Sequence, residues 1–159
     1  MPRIELLTPV SAPIAVVFNL SRSIDLHKLS TAHTNEQAIA GRTTGLIEMG
    51  ESVTWRAKHL GITQTLTSKI TAYDYPNYFA DTMVRGAFKS FIHEHIFTES
   101  NGVVTMVDVF TYQSPLGTFG KLADILFLKK YMENLLIKRN GIVKEFAEDE
   151  DKWKQVPGM

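Results

Sequence analysis

Between Phe88 and Tyr112 the chain reads FKSFIHEHIFTESNGVVTMVDVFTY. Asn101-Gly102 lies between two runs rich in β-branched and aromatic residues. Asn-Gly is the dipeptide that a two-residue hairpin turn favours, because both turn positions need φ > 0. With those two residues at the tip, Phe97 opposes Met106, His95 opposes Asp108, His93 opposes Phe110 and Phe91 opposes Tyr112. Side chains alternate faces along a strand, so these eight share one face, and Ile92, Glu94, Ile96, Val107 and Val109 take the other. An aromatic wall with a polar spot of two histidines and an aspartate suits the lining of a pocket better than a dry core.

The rest of the chain has to cover that wall. A length of 159 residues suffices for one domain with a sizeable core. Lys+Arg and Asp+Glu number 17 each, so the net charge is zero and nothing argues for nucleic acid or an anionic membrane as partner. With no cysteine, disulfides, thiolate metal sites and a cysteine nucleophile are excluded. No apolar run approaches the ~20 residues of a membrane span, and the N-terminus lacks the apolar core of a signal peptide. These features point to a cytoplasmic protein without stable membrane insertion.

Taken in order, Arg3 to Thr8 reads as a first strand ending at Pro9. Ser11-Ala12-Pro13 opens a short helix with Ser11 as cap, and Ser23 caps a second from Ile24 to about Leu29. A polar, irregular segment follows, with a short strand near Gln37 to Ala40. Strands are expected over Gly45–Met49, Val53–His59 and Ile62–Tyr73, the last with Ile62, Leu66, Ile70 and Ala72 inward. Trp55 is inward on the second of these. Tyr78–Arg85 is the next strand, with Phe79, Asp81, Met83 and Arg85 on one parity. A three-residue turn at Gly86–Phe88 then brings Asp81 opposite His93. After Ser114-Pro115-Leu116-Gly117, Thr118 caps a long helix running to about Glu148. Its apolar stripe includes Phe119, Leu122 and Leu126, and the turn Ile125–Leu128, apolar all round, is expected to be covered on more than one side. Asn140-Gly141 is the weak point of this helix. Lys129-Lys130 and Lys138-Arg139 read as a solvated face. Residues 1–150 form a single domain on this reading, and residues 151–159 a frayed tail.

The order is one strand, two short helices, consecutive antiparallel strands and one long helix: an α+β chain whose sheet of about seven strands must curl around the C-terminal helix. This pattern resembles the helix-grip fold of the START-like (SRPBCC) superfamily. The resemblance rests on APIAVVFNLSRSIDLH (12–27), GLIEMGESVTWRAKHLG (45–61), LTSKITAYDYP (66–76), FIHEHIF (91–97), MVDVFTYQSPLG (106–117) and LADILFLKKYMENLL (122–136). It is nearest to uncharacterised bacterial ligand-binding members. The resemblance implies a cavity between sheet and long helix that takes an apolar or amphipathic small molecule. The superfamily hosts binders, carriers and enzymes such as polyketide aromatase/cyclases, so fold alone does not select among them.

Trp55, Asp81, Met83, Arg85, Phe91, His93, His95, Asp108, Phe110 and Tyr112 are the candidate ligand-binding residues. His95 and Asp108 would be the catalytic pair of a cyclase or dehydratase-like enzyme, since a carboxylate beside an imidazole orients the ring and raises its basicity. The alternative is a buried polar pair that pins strand register. In that case Asp108→Asn should cost little, because the amide keeps an acceptor. His93, His95 and Asp108 have a geometry that permits a shared metal, but no further His or Cys stands at ligand spacing, and no metal or cofactor is expected. Arg85 could receive a carboxylate, and Trp55 could stack on a ligand ring; the plain alternatives are an exposed arginine and core packing. The signatures GxSxG, SxxK, HExxH, GxGxxG and GxxxxGK[ST] are absent. Three functions remain: a small-molecule binder, an enzyme using the His/Asp patch, and a module that docks on a partner.

Overall fold

A computed structural model describes all 159 residues. Asn101 (φ 53°) and Gly102 (φ 77°) make the turn of the central hairpin. Pairing runs without slip from Ser100–Val103 to Ser90–Gln113, with His95 opposite Asp108. These strands are β6 (Ser90–Ser100) and β7 (Val103–Gln113). The others are β1 (Arg3–Val10), β2 (Gln37–Gly41), β3 (Ser52–His59), β4 (Ile62–Asp74) and β5 (Tyr78–Arg85). They form one seven-stranded sheet in the order β1-β7-β6-β5-β4-β3-β2, antiparallel throughout. Helices α1 (Ile14–Ser21) and α2 (Ile24–Ser30) follow β1. The C-terminal helix comprises α3 (Gly117–Ala123), a π turn (Asp124–Leu128) and α4 (Lys129–Ala147). It passes unbroken through Asn140-Gly141. No helix is long and apolar enough to cross a membrane.

Two apolar clusters hold sheet and helices together. The larger centres on Phe18 of α1, fully buried, whose ring meets Tyr73, Tyr75, Phe79 and Phe97 edge-on at 5.1–5.4 Å. Edge-on contact sets the positive ring edge against a negative face and adds to the area term. The smaller joins Ile4, Phe91, Phe110 and Tyr112 of the sheet to Leu136 of α4. The wall read from the hairpin is therefore divided. Phe97 and Met106 enter the first cluster, Phe91, Phe110 and Tyr112 the second, and the histidines lie between.

Two bulges redirect side chains that parity had placed inside. On β4, Thr71 is an extra residue between the Ile70–Asp81 and Ala72–Ala80 pairs. Beyond it Tyr73 opposes Phe79 and joins the core, while Ala72 leaves the inner face. On β5, Val84 is extra between the Ser68–Met83 and Thr67–Arg85 pairs. Arg85 is thereby paired with Thr67, whose hydroxyl bonds Thr54 rather than facing the core, and it is exposed. A single inserted residue reverses every later side chain of a strand. Beyond Thr82–Ile92 the strands β5 and β6 separate, so no tight turn forms at Gly86–Phe88.

Other expectations need correction. β1 continues through Pro9, which an edge strand tolerates because its missing N–H has no partner to lose. Gly45–Met49 is no strand, apart from one bridge between Ser23 and Leu46. Its backbone is tied to the helices instead: the Asp25 carboxylate accepts from Gly45 N at 2.7 Å, and Arg22 donates to Ile47 O. Ser23 caps α2 through Leu26 N, but Ser11 caps nothing and gives its N–H to Glu148 Oε1. Leu116, at φ 68°, precedes the C-terminal helix, which has no side-chain cap from Thr118. The tail is ordered: Asp149 caps α5 (Glu150–Trp153) and Val156 is buried in the main core.

The largest departure concerns the start of the C-terminal helix. Phe119, Leu122, Ile125, Leu126 and Phe127 are exposed, so the apolar turn at Ile125–Leu128 is not covered on several sides. The inward face carries Gly120, Asp124 and Leu128, spaced four residues apart. Asp124 fixes it by accepting from Tyr112 Oη at 2.9 Å and from Ser114 Oγ. Gly120 lets the helix sit against the Pro115 carbonyl, where any Cβ would collide. A polar anchor and a missing side chain, rather than hydrophobicity, choose the face.

Because Phe18 is held by four rings and leaves no room to collapse, Phe18→Ala should lose about 3–5 kcal/mol in urea unfolding. A loss below 1 kcal/mol would remove α1 from the core.

Candidate functional site

A cavity of about 370 Å³ lies between the sheet and α4, and 18 of its 33 lining residues are hydrophobic. Trp55 of β3, Phe91 of β6 and Phe110 of β7 form apolar wall, and Ala57 and Ser68 leave the space that larger residues would fill. At the α2 end the His27 ring lies 4.3 Å from Trp55 and bonds Glu36 at 2.7 Å. His59 bonds Tyr131 Oη at 2.9 Å across the sheet–helix gap.

The polar spot is a closed network around Asp108, which has no exposed surface. Its Oδ1 accepts from His93 Nε2 at 2.9 Å and from Arg139 Nη1 at 3.1 Å. Its Oδ2 accepts from Asn140 Nδ2 at 2.7 Å. Arg139 also donates to the Ser21 carbonyl at 2.8 Å, where α1 ends with unpaired carbonyls. One carboxylate thus joins β7, β6 and α4, and through Arg139 reaches α1. In front of it stand Asp81, His93 and His95, all on the cavity wall. His95 Nε2 is 3.2 Å from Asp81 Oδ1, and His93 Nδ1 is 3.9 Å from it. The His93 and His95 rings lie 3.9 Å apart, and Phe79 stacks on His95 at 4.1 Å.

The electrostatics follow from this packing. Burial alone would raise the Asp108 carboxyl, but the Arg139 guanidinium and the hydrogen bond from His93 outweigh it and hold it well below the ordinary value. Asp81 is lowered too: burial opposes ionisation, but the His95 bond and the nearby positive character prevail. His93 is pushed down to about 4, first by burial and then by its neighbour His95. At neutral pH the site therefore has two carboxylates, one guanidinium and a neutral His93. With Asp108 ionised and accepting, the His93 proton sits on Nε2 and the Nδ1 lone pair faces Asp81.

Of the residues proposed from sequence, Trp55, Asp81, Phe91, His93, His95 and Phe110 border the cavity. Asp108 stands behind the histidines, and Met83 and Tyr112 pack in the second cluster, Tyr112 bonded to Asp124. Arg85 is outside, for the bulge reason given above. Asp81 opposes His93 in the sheet, but its nearer imidazole is His95. Arg139, read as solvated, is 6% exposed and is the counter-charge of the site. It and Asn140 were legible in helical phase, lying between Leu136 and Val143 on the buried face. For a metal, the three residues whose donor atoms converge within 4.8 Å are Asp81, His93 and His95.

The network overturns the expectation for Asp108→Asn. Both oxygens accept, so an amide would set its NH₂ against Arg139 or Asn140 and remove the counter-charge of a buried guanidinium. We expect Asp108→Asn to lose about 3–5 kcal/mol in urea unfolding, close to Asp108→Ala. An unchanged midpoint would show that the carboxylate is dispensable.

No family model and no curated protein matches the chain. Solved structures do. The Zhui aromatase/cyclase of a Streptomyces species superposes with TM-score 0.76 at 13% identity, covering 99% of both chains. Protein TTHA0849 of Thermus thermophilus gives TM-score 0.69 at 18% identity over 89% of this chain and 97% of its own. The ginseng major latex-like protein 151 of Panax ginseng gives 0.67 at 13% over 93% and 98%. At such identities the likeness is one of architecture: the chain has the helix-grip fold.

Proposed function

We propose that the protein binds an apolar or amphipathic small molecule in the cavity between sheet and α4. The observation that carries this reading is the division of the cavity wall. Trp55, Phe91 and Phe110 offer aromatic surface, while Asp81, His93 and His95 offer polar atoms on one side only. A volume of about 370 Å³ is at the low end of the range for small-molecule sites. A ligand fitting both parts has a ring or short chain and one polar group that hydrogen-bonds to a carboxylate or imidazole.

A second reading is favoured by one arrangement. His93 is neutral, oriented from behind by an ionised Asp108, and borders an apolar space. That is how a general base is held. One neighbour in fold is by name an aromatase/cyclase. On this reading the histidines would move a proton of the bound ligand.

Native mass spectrometry of protein from its own host should reveal a co-purifying small molecule. Ala57→Trp, which fills the cavity from β3, should fold and lose at least 90% of it. Retention of the ligand by a folded Ala57→Trp protein would place the molecule elsewhere and sink the binder reading. Incubating the identified ligand with wild type and His93→Gln separates the two readings. A product that differs from the ligand in mass or in chromatographic retention, formed with wild type alone, supports the enzyme, and unchanged ligand with both supports the binder.

A further inference from the structure

We propose that Asp81, His93 and His95 form a binding site for a first-row divalent cation of the zinc class, with Asp108 as the carboxylate that orients His93. It stands on the polar side of the cavity and does not depend on the organic ligand.

The first support is a shortage of protons. His95 has Nδ1 3.0 Å from Asp108 Oδ1 and Nε2 3.2 Å from Asp81 Oδ1. A neutral imidazole has one N–H, so whichever nitrogen carries it, the other turns a lone pair on a carboxylate oxygen. The Nδ1 atom is buried and lies off the line that a hydrogen bond to Asp108 needs. If His95 is protonated on Nδ1, three acceptors converge: Asp81 Oδ1, His93 Nδ1 and His95 Nε2. Such a convergence is unfavourable unless a cation sits in it.

The second support is charge. Asp108 has Arg139 as its partner, whereas Asp81 has no arginine or lysine within ion-pair distance, only the two histidines. Asp81 thus lacks a fixed positive partner, and the Asp81, His93 and His95 side chains are only 18%, 10% and 3% exposed. A buried carboxylate without a fixed counter-charge is costly, and a divalent ion would supply one.

The third is geometry. Ligand atoms at ~2.1 Å from one ion lie roughly 3–3.4 Å from each other. Of the separations from Asp81 Oδ1, 3.2 Å lies within this range and 3.9 Å is about 0.5 Å beyond it, and all three donor atoms lie within 4.8 Å of one another. His93 also gives its other nitrogen to Asp108, the outer partner that metal-bound histidines ordinarily have, and His95 Nδ1 lies 3.0 Å from the same oxygen without bonding to it. Two imidazoles and one carboxylate suit zinc, cobalt or iron(II), while magnesium and calcium prefer oxygen alone. The remaining coordination positions face the cavity.

The test uses untagged full-length protein, stripped with chelator and titrated with Co(II) under argon, read by visible absorption and by calorimetry with Zn(II). We expect one ion per chain, with His-containing coordination bands. Asp81→Asn, which keeps the shape of the side chain, should weaken binding at least tenfold. His93→Gln and His95→Gln should each weaken it more, and exposed His33→Gln should change nothing. Melting curves of the variants identify any that misfold, and Asp81→Asn, the most conservative change, then decides. No 1:1 binding by wild type, or equal affinity in folded Asp81→Asn, overturns the proposal. So does ¹⁵N NMR of the stripped protein showing His95 protonated on both nitrogens while Co(II) fails to bind. None of these outcomes alters the Ala57→Trp result, so the cavity reading stands or falls separately.

Discussion

Asp108 is a fully buried carboxylate, and the molecule surrounds it with hydrogen-bond donors. Arg139, Asn140 and His93 supply them. Removing a charge of this kind from water costs several kcal/mol, and only a full set of short hydrogen bonds offsets it. The consequence is positional. β7 and α4 cannot slide past each other without stranding either the carboxylate or the guanidinium. The sheet–helix gap is fixed at this point, and the cavity is what remains beside it.

That gap is not closed by hydrophobic packing alone. The apolar clusters lie on either side of the network, one around Phe18 and one around Phe91 and Phe110. Between them the interior is polar on one wall and open on the other. Farther along the helix the same logic recurs on a smaller scale, with Asp124 accepting from Tyr112 and Ser114. Burial pushes the Tyr112 phenol up, and the neighbouring Asp124 carboxylate pushes it further, so it stays a donor. Both ends of the helix–sheet contact are thus set by an inward aspartate. Oily residues such as Phe119 and Ile125 turn outward because Asp124 and Gly120 occupy the inner face.

Much of this was legible in the residues. The Asn-Gly turn and strict alternation placed His95 opposite Asp108, and counting back across the next turn placed Asp81 opposite His93. The bulges at Thr71 and Val84 were not legible, since neither carries a glycine or proline to mark it. Each moved one residue out of place, which is why Arg85 is exposed and Tyr73 is inside. Arg139 was concealed by composition: among Lys138 and the other lysines of the helix it looked solvated, although its phase with Leu136 and Val143 pointed inward. The outward turn of Phe119 to Phe127 was beyond a hydrophobic count, because the deciding contacts are hydrogen bonds to Asp124. What the cavity holds depends on shape and on a ligand's chemistry, neither of which periodicity encodes.

Asp108 and Arg139 act as one unit in holding sheet and helix together. The direct measurement is a double-mutant cycle in urea with Asp108→Leu, Arg139→Met and the double variant. Each single change strands a buried charge and should lose about 3–5 kcal/mol. The double change removes both charges and should recover most of that loss, giving a coupling energy of roughly 2–3 kcal/mol. Additive losses, with a coupling near zero, would mean that the two groups do not hold sheet and helix together, and the account of the site would fail with them.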